Sequence, residues 1–219
     1  MSNKSEIEQK VAEFLLQIKA IKLQPNNPFT WASGWRSPIY CDNRVTLSHP
    51  SIRTYIRQKL ASLIQEEYGS VGVIAGVATA GIPQGVLVAQ ELGLPFIYVR
   101  SKPKEHGTGS LIEGEFSGGQ RVVVIEDLIS TGKSSLQAVD ALRNAGLEVA
   151  GLAAIFSYGF DTAEDNFKNA KCRFSTLSNY NALIEYAAEH SFVSEADLSL
   201  LKKWRENPSE WDHTIKNIA

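Results

Sequence analysis

Residues 122–135 combine the pattern of a buried strand with two acidic residues and a short run of small hydroxyl residues. Four β-branched residues, 122–125, are typical of a parallel strand that is buried on both faces. Glu126 and Asp127 follow where that strand is expected to end, and a helix is expected to begin near Gly132. Backbone N–H groups at a helix N-terminus bind phosphate, and carboxylates beside them suit sugar hydroxyls or a magnesium ion. The stretch therefore predicts a site for a phosphorylated sugar.

The same stretch has two alternative interpretations. A nucleotide-binding P-loop requires G-x-x-x-x-G-K-[ST], and residues 132–134 supply only its end, because the position of its first glycine is occupied by Asp127. An ordinary strand, turn and helix is the second alternative, since Ser and Thr are common at helix starts. The acid pair followed by Ser-Thr-Gly-Lys favours the sugar-phosphate interpretation over this alternative.

The same stretch resembles the signature of the type I phosphoribosyltransferases, which bind phosphoribosyl pyrophosphate (PRPP). That resemblance is specific for the sugar-phosphate donor, but it does not identify the acceptor base. It implies an α/β fold in which a parallel sheet is flanked by helices.

Composition limits the protein class. The chain has 219 residues, of which 43% are hydrophobic, so it can bury a full core in one domain with small appendages. Its net charge of −2 gives no overall electrostatic case for nucleic acid or an anionic membrane. Cys41 and Cys172 are far apart and are expected to be unbridged thiols. No signal-peptide core or long apolar run is present, so we expect a cytoplasmic protein.

Predicted strands alternate with predicted helices, which favours a parallel sheet with helices on both faces. The loops after three of these strands are expected to meet at one edge of the sheet, where ligands bind in such folds. Residues 1–47 precede the first strand-helix unit and are expected to form a small hood over that edge, and residues 48–219 a core that includes the C-terminal helices. The strands are predicted at 71–77, 96–99, 122–125, 149–156 and 174–177, and the converging loops at 78–83, 100–119 and 126–134.

The hood contains aromatic residues interleaved with arginines between positions 29 and 44. Aromatic faces and guanidinium groups suit a flat, anionic heterocycle, and a turn-rich hydrophobic hairpin with solvated arginines explains the composition equally well. The order of residues 33–40, Ser-Gly-Trp-Arg-Ser-Pro-Ile-Tyr, resembles the S-G-x-x-S-P-x-Y motif of the orotate phosphoribosyltransferases. This resemblance favours orotate as the acceptor.

Residues 100–107 concentrate positive charge in an otherwise balanced chain, with Arg100, Lys102, Lys104 and His106. Such a cluster suits a departing pyrophosphate, although charge runs are usually solvated loops. The segment resembles the basic loop of the orotate phosphoribosyltransferases, which closes over the active site of the neighbouring subunit. The resemblance therefore implies a homodimer with shared active sites.

The resemblance to the orotate phosphoribosyltransferases also implies residue roles. Lys104, His106 and Asp127 are expected to be catalytic, and Arg44 is favoured over Arg36 for the orotate carboxylate. Mg²⁺ is the expected cofactor, held mainly through the substrate near Asp127 with no direct protein ligand. The expected substrate-binding residues are Glu126 and Asp127 at the ribose hydroxyls, Leu128, Ile129, Ser130 at orotate, Thr131, Gly132, Lys133 and Ser134 around the 5-phosphate, and Arg100, Lys104 and His106 at pyrophosphate.

The chain departs from the family pattern at three places. Many relatives have lysine at the position of Ala32, Tyr-Lys at Thr79-Ala80, and an arginine near Tyr158-Gly159. The partner of the orotate carboxylate therefore stays open. Another purine or pyrimidine phosphoribosyltransferase would share residues 126–134 without the hood motif. A regulatory PRPP sensor would be expected to carry a nucleic-acid-binding module or a basic face, and neither is visible in the sequence.

Overall fold

The computed structural model describes residues 3–31, 33–102 and 111–211. Within them, helices and strands alternate after an N-terminal segment that contains four short strands. In chain order the elements are α1 (Asn3–Gln17), β1 (Ile21–Leu23), β2 (Phe29–Thr30), β3 (Arg36–Ser37), β4 (Ile39–Cys41), a 3₁₀ helix (Asn43–Ser48), α2 (Pro50–Tyr68), β5 (Val73–Val77), α3 (Gly81–Leu92), β6 (Phe96–Val99), β7 (Ile112–Glu113), β8 (Arg121–Ile129), α4 (Lys133–Asn144), β9 (Glu148–Ser157), α5 (Asp161–Asn169), β10 (Phe174–Asn179), α6 (Tyr180–Glu189) and α7 (Glu195–Glu206).

The central sheet has the strand order β10-β9-β8-β5-β6-β7. Strand β5 pairs in parallel with both β6 and β8, and β8 pairs in parallel with β9. The predicted parallel sheet with intervening helices is therefore confirmed. Each crossover contains a helix because a parallel neighbour can be reached only by a long connection.

Strand β8 is longer than the sequence predicted. It was expected to end at Ile125, but its pairing with β9 continues through Glu126↔Ala154 to Ile129↔Ser157. Glu126 and Asp127 therefore lie within the strand, and the prediction that they lie in the loop after it is wrong. The polar side chains obscured the end of the strand because the backbone ladder does not depend on side-chain polarity.

The predicted loop 100–119 also contains a strand. The short strand β7 pairs antiparallel with the edge strand β6, with Val99 opposite Ile112. Ile112 is only 8% exposed, so this end of the predicted loop packs against the core. The middle of the segment, residues 103–110, lies outside the described residues.

The core around the central sheet is aliphatic. Strands β5 and β8 place fully buried valines and alanines on it, as expected for strands covered on both faces. Helix α4 contributes Val139 and Leu142, both fully buried, and Leu136 packs against the same cluster.

Two compact units make up the chain: a central unit, residues 47–177, and a terminal unit, residues 1–46 with 178–219. The terminal unit is held together by long-range contacts, including the Ser178 hydroxyl donating to the Glu8 carbonyl (2.8 Å) and the Trp204 indole donating to the Arg36 carbonyl (3.2 Å). The predicted boundary instead places residues 178–219 with the core. Helix α1 packs on α6, which joins the two chain ends in one unit.

No helix in the described segments has the length and apolarity needed to cross a lipid bilayer. Cys41 and Cys172 are both free thiols.

Candidate active site

A three-residue turn, Ser130–Gly132, connects β8 to α4. Gly132 adopts a left-handed conformation (φ 77°) as the N-cap of α4, and its carbonyl accepts the first helical hydrogen bond from Leu136 (2.9 Å). A Cβ at this position would lie 2.5 Å from Cε2 of Phe167. The turn therefore requires glycine both for its backbone conformation and for space.

This turn leaves the start of α4 without a side-chain cap. The first N–H groups of a helix have no partner within the helix, so they are available to an anion. Thr131 is half-buried, whereas Lys133 and Ser134 are exposed at the same helix start. The predicted phosphate-binding turn is thus present as a local structure, with hydroxyl groups and one ammonium group beside the N-terminus.

Glu126 is buried and holds the strand to the helix. Its carboxylate accepts hydrogen bonds from the Ser135 hydroxyl and from the Asp127 N–H, both at 3.1 Å. Burial raises the pKa of Glu126 well above its usual range, and the nearby charge of Asp127 adds to this shift. Only 5% of Glu126 is exposed, which disfavours the predicted contact with ribose hydroxyls. Ser135 was not among the predicted site residues.

Asp127 is half-exposed, in contrast to its buried neighbour. It remains the carboxylate best placed to contact a ligand beside the turn. The other predicted positions differ in accessibility: Ile129 is fully buried and its carbonyl accepts from the Tyr158 N–H (3.1 Å), whereas Leu128 and Ser130 are half-buried.

A cavity of about 390 Å³ lies where the ends of β5 and β6 meet the start of α4. Ala78 follows β5, Arg100 follows β6, and Ser134 lies in the first turn of α4. The predicted convergence of the three loops is confirmed for these residues. Gln137 and Asn144 also line the cavity, and their spacing from Ser134 along one helix face was the sequence signal that could have identified them.

Arg100 lines this cavity and forms an ion pair with Glu113. Its guanidinium is 3.5 Å from the Glu113 carboxylate of β7, and its backbone N–H donates to the Leu111 carbonyl (2.8 Å). The ion pair and backbone bond hold Arg100 at the end of β6. The predicted residues Lys104 and His106 lie outside the described residues.

In the terminal unit, Arg44 binds Asp42 through two parallel hydrogen bonds, Nε to Oδ1 at 2.7 Å and Nη2 to Oδ2 at 2.9 Å. Arg44 lowers the pKa of the Asp42 carboxyl through this pair. Because one edge of the guanidinium already binds a carboxylate, the structure weakens the case for Arg44 as a bidentate partner of orotate. Ala32, where many relatives have lysine, lies outside the described residues.

Within the described ranges, no three His, Cys, Asp or Glu side chains cluster in a way that could hold a metal ion. Asp127 offers the oxygen chemistry that Mg²⁺ prefers, and a single carboxylate beside a phosphate site is compatible with an ion held mainly by substrate oxygens.

Comparison with known proteins identifies the family. The family model described as "Phosphoribosyl transferase domain" matches residues 47–189. An orotate phosphoribosyltransferase of Bacteroides thetaiotaomicron is 57% identical over 206 residues, covering 94% of this chain and 97% of the relative. One from Listeria innocua is 55% identical over 205 residues, covering 94% and 98%.

Among solved structures, the orotate phosphoribosyltransferase of Aeropyrum pernix matches with a TM-score of 0.73 and 27% identity, over 84% of this chain and 99% of that one. The sequence matches extend along nearly the whole chain. This chain therefore belongs to the orotate phosphoribosyltransferases, a family built on the phosphoribosyl transferase domain.

Proposed function

We propose that this chain transfers the 5-phosphoribosyl group of PRPP to orotate, yielding orotidine 5′-monophosphate and pyrophosphate in pyrimidine biosynthesis. The observation that carries the proposal is the uncapped start of α4 at Gly132, immediately after a strand that presents Asp127. A helix N-terminus suits the 5-phosphate, and a neighbouring carboxylate suits ribose hydroxyls. The identity of the relatives supports orotate as the acceptor.

In this reaction the C1–O bond to pyrophosphate breaks and a C1–N bond to orotate forms. The turn Ser130–Gly132 and the first residues of α4 bind the 5-phosphate. Asp127 accepts hydrogen bonds from the ribose hydroxyls, which orients C1 toward the acceptor. Arg100 stabilises the negative charge that develops on the departing pyrophosphate. Lys104 and His106 are assigned the same task on the strength of the sequence alone.

Mg²⁺, if bound, would offset the negative charge that develops on the departing pyrophosphate. We assign it to substrate oxygens near Asp127, without a set of protein ligands. A cytoplasmic location is part of the proposal and is supported by the two unbridged thiols.

The acceptor is tested by incubating purified protein with PRPP, Mg²⁺ and one free base at a time. Orotate should be consumed with release of pyrophosphate, whereas adenine, hypoxanthine and uracil should react slowly. Turnover of a purine at the rate of orotate would assign the chain to another phosphoribosyltransferase. Binding of PRPP without turnover of any base would favour a sensor.

The role of Asp127 is tested by Asp127→Asn. Loss of a charged hydrogen-bond acceptor from the ligand should lower kcat/KM for PRPP by about 5- to 150-fold, equivalent to ~1–3 kcal/mol. Asp165→Asn is the matched control, because Asp165 is exposed on α5. Equal kinetics of Asp127→Asn and wild type, with equal melting temperatures, would remove Asp127 from the site.

We further propose that the chain is a homodimer in which the loop carrying Lys104 serves the partner subunit's site. The support is the resemblance of residues 100–107 to the family's loop, and a two-fold dimer would make the exchange reciprocal. Lys104→Ala and Asp127→Asn homodimers should each be much less active than wild type, and recovery is measured above their residual activities.

Mixing these two variants tests the arrangement. With shared sites, a mixed dimer contains one site with both an intact loop and an intact Asp127. A statistical mixture is about half heterodimer, so activity should recover to at most about a quarter of wild type. If the loop serves its own subunit, every site carries one lesion and no activity returns, provided that subunit exchange is confirmed by mass spectrometry.

A further inference from the structure

Helix α5, which the proposed reaction does not use, contacts the phosphate-binding turn through two consecutive residues. The Asn166 side-chain amide donates to the Thr131 carbonyl at 2.9 Å, although the two residues are 35 positions apart. The next residue, Phe167, packs its ring against Gly132. Consecutive residues of α5 therefore contact consecutive residues of the turn.

The helix that makes these contacts is itself firmly packed. Phe167 is 1% exposed and Ala163 is fully buried, and both belong to the core of the central unit. Asn166 is half-buried, so its amide is partly shielded from water. A rigid element thus presents a hydrogen-bond donor to the turn.

The contact determines the direction of a backbone N–H group. The Thr131 carbonyl and the Gly132 N–H belong to one peptide unit, and in a trans peptide these two groups point in opposite directions. A carbonyl held toward α5 therefore directs the Gly132 N–H away from α5. Without this contact the peptide could rotate, because glycine tolerates the alternative backbone conformations.

We infer that Asn166 is a positioning residue for the 5-phosphate of the donor: its amide holds the Thr131–Gly132 peptide so that the Gly132 N–H faces the bound phosphate. The inference rests on the proposed function for the identity of the donor. It does not depend on the acceptor base, because the contact concerns only the phosphate-binding turn.

The side-chain amide is the essential group in this arrangement. Aspartate at position 166 has nearly the same shape but no donor, and its carboxylate would repel the Thr131 carbonyl. Leucine has the same number of side-chain heavy atoms and the same branching at Cγ, although it is bulkier, and it has neither donor nor charge. A positioning role requires that both Asn166→Asp and Asn166→Leu weaken phosphate binding, and that Asp does so more strongly.

Asn169 provides a matched control on the same helix, since it is an exposed asparagine three residues later. Asn169→Asp introduces the same charge change at an exposed position of the same helix. Differences between the variants at 166 and at 169 therefore report the contact with Thr131, and not the net charge of the protein.

The experiment measures KM for PRPP, KM for orotate and kcat, together with calorimetric binding of inorganic phosphate. Asn166→Leu should raise the phosphate dissociation constant and the KM for PRPP by about three- to tenfold, the range expected for one lost hydrogen bond, and Asn166→Asp should raise both further. The KM for orotate, and all parameters of Asn169→Asp, should stay within about twofold of wild type.

Unchanged phosphate binding in a folded Asn166→Leu protein would overturn the inference. So would a uniform loss toward both substrates accompanied by a lower melting temperature, because that pattern indicates a purely structural contact. Phosphate binding is measured without any base, so a failure of orotate turnover in the wild type would reject the proposed function without deciding the role of Asn166.

Discussion

Replacing Gly132 with alanine tests whether the turn between β8 and α4 requires glycine. A non-glycine residue in the left-handed region, where Gly132 has φ 77°, costs about 1–2 kcal/mol. The added Cβ would also lie 2.5 Å from the Phe167 ring, which is buried and must shift, and such overpacking costs about 1–3 kcal/mol. We expect the free energy of unfolding to fall by about 2–5 kcal/mol.

Two other glycines separate these contributions. A Cβ at Gly119 has open space but a strained φ of 76°, so Gly119→Ala should show the strain alone, about 1–2 kcal/mol. A Cβ at Gly118 meets no atom within 4 Å, and Gly118→Ala should change stability by less than about 0.5 kcal/mol. Urea unfolding measures the stability of all three variants, and in thermal unfolding Gly132→Ala should lower the melting temperature by about 4–20 °C.

The same substitution should weaken PRPP binding, because displacement of the turn changes the direction of its N–H groups. The KM for PRPP should rise more than the KM for orotate. Equal stability of Gly132→Ala and Gly119→Ala would show that Phe167 yields without cost, and the steric part of the reasoning would then be incorrect. Wild-type stability of Gly132→Ala would refute both parts.

Two further predictions concern stability. The pKa of Glu126 is raised in the folded chain, so the protonated group favours the folded state. Its contribution to the free energy of unfolding is complete below the ordinary pKa of 4.5 and declines as the pH rises through the raised pKa. Glu126→Gln removes this titration, so the melting temperature of the variant relative to wild type should increase from pH 4 to pH 8 in scanning calorimetry. A difference in melting temperature that does not change with pH would contradict the raised pKa of Glu126. Trp204→Phe keeps most of the buried ring but removes the 3.2 Å hydrogen bond to the Arg36 carbonyl, and should cost about 1–2 kcal/mol in urea unfolding. Phe192→Leu is the control, because Phe192 is half-exposed. A smaller loss of stability at Trp204 than at Phe192 would show that the Trp204 hydrogen bond does not stabilise the terminal unit.

The alternation of strands and helices was sufficient to predict the central sheet, because buried parallel strands require continuous β-branched runs such as residues 122–125. The short strand β7 was missed because two paired residues leave no periodic pattern in the sequence. The grouping of α6 and α7 with the N-terminal segment was also missed. It depends on contacts such as Trp204 with Arg36, 168 residues apart, which local patterns do not contain.

The candidate site was predicted in part. The turn 130–134 and the position of Arg100 could be inferred because both follow strands whose ends meet at one edge. Asn166 and Ser135 carried no comparable signal. Their importance arises from hydrogen bonds to Thr131 and Glu126, and an isolated asparagine or serine in a helix is equally typical of a solvated surface.

The different environments of Glu126 and Asp127 follow from the extension of β8. Neighbouring residues in a strand direct their side chains toward opposite faces of the sheet, so the adjacent acids within β8 differ in burial although their side chains remain within hydrogen-bonding reach of each other. Had the strand ended at Ile125, a flexible loop could have directed both carboxylates toward one ribose. Because the pairing with β9 continues to Ile129, Glu126 is buried against Ser135 and Asp127 is left as the half-exposed carboxylate beside the turn. The two carboxyl groups are therefore unequally accessible: Glu126 fastens the strand to helix α4 through Ser135, and Asp127 is the more exposed of the two.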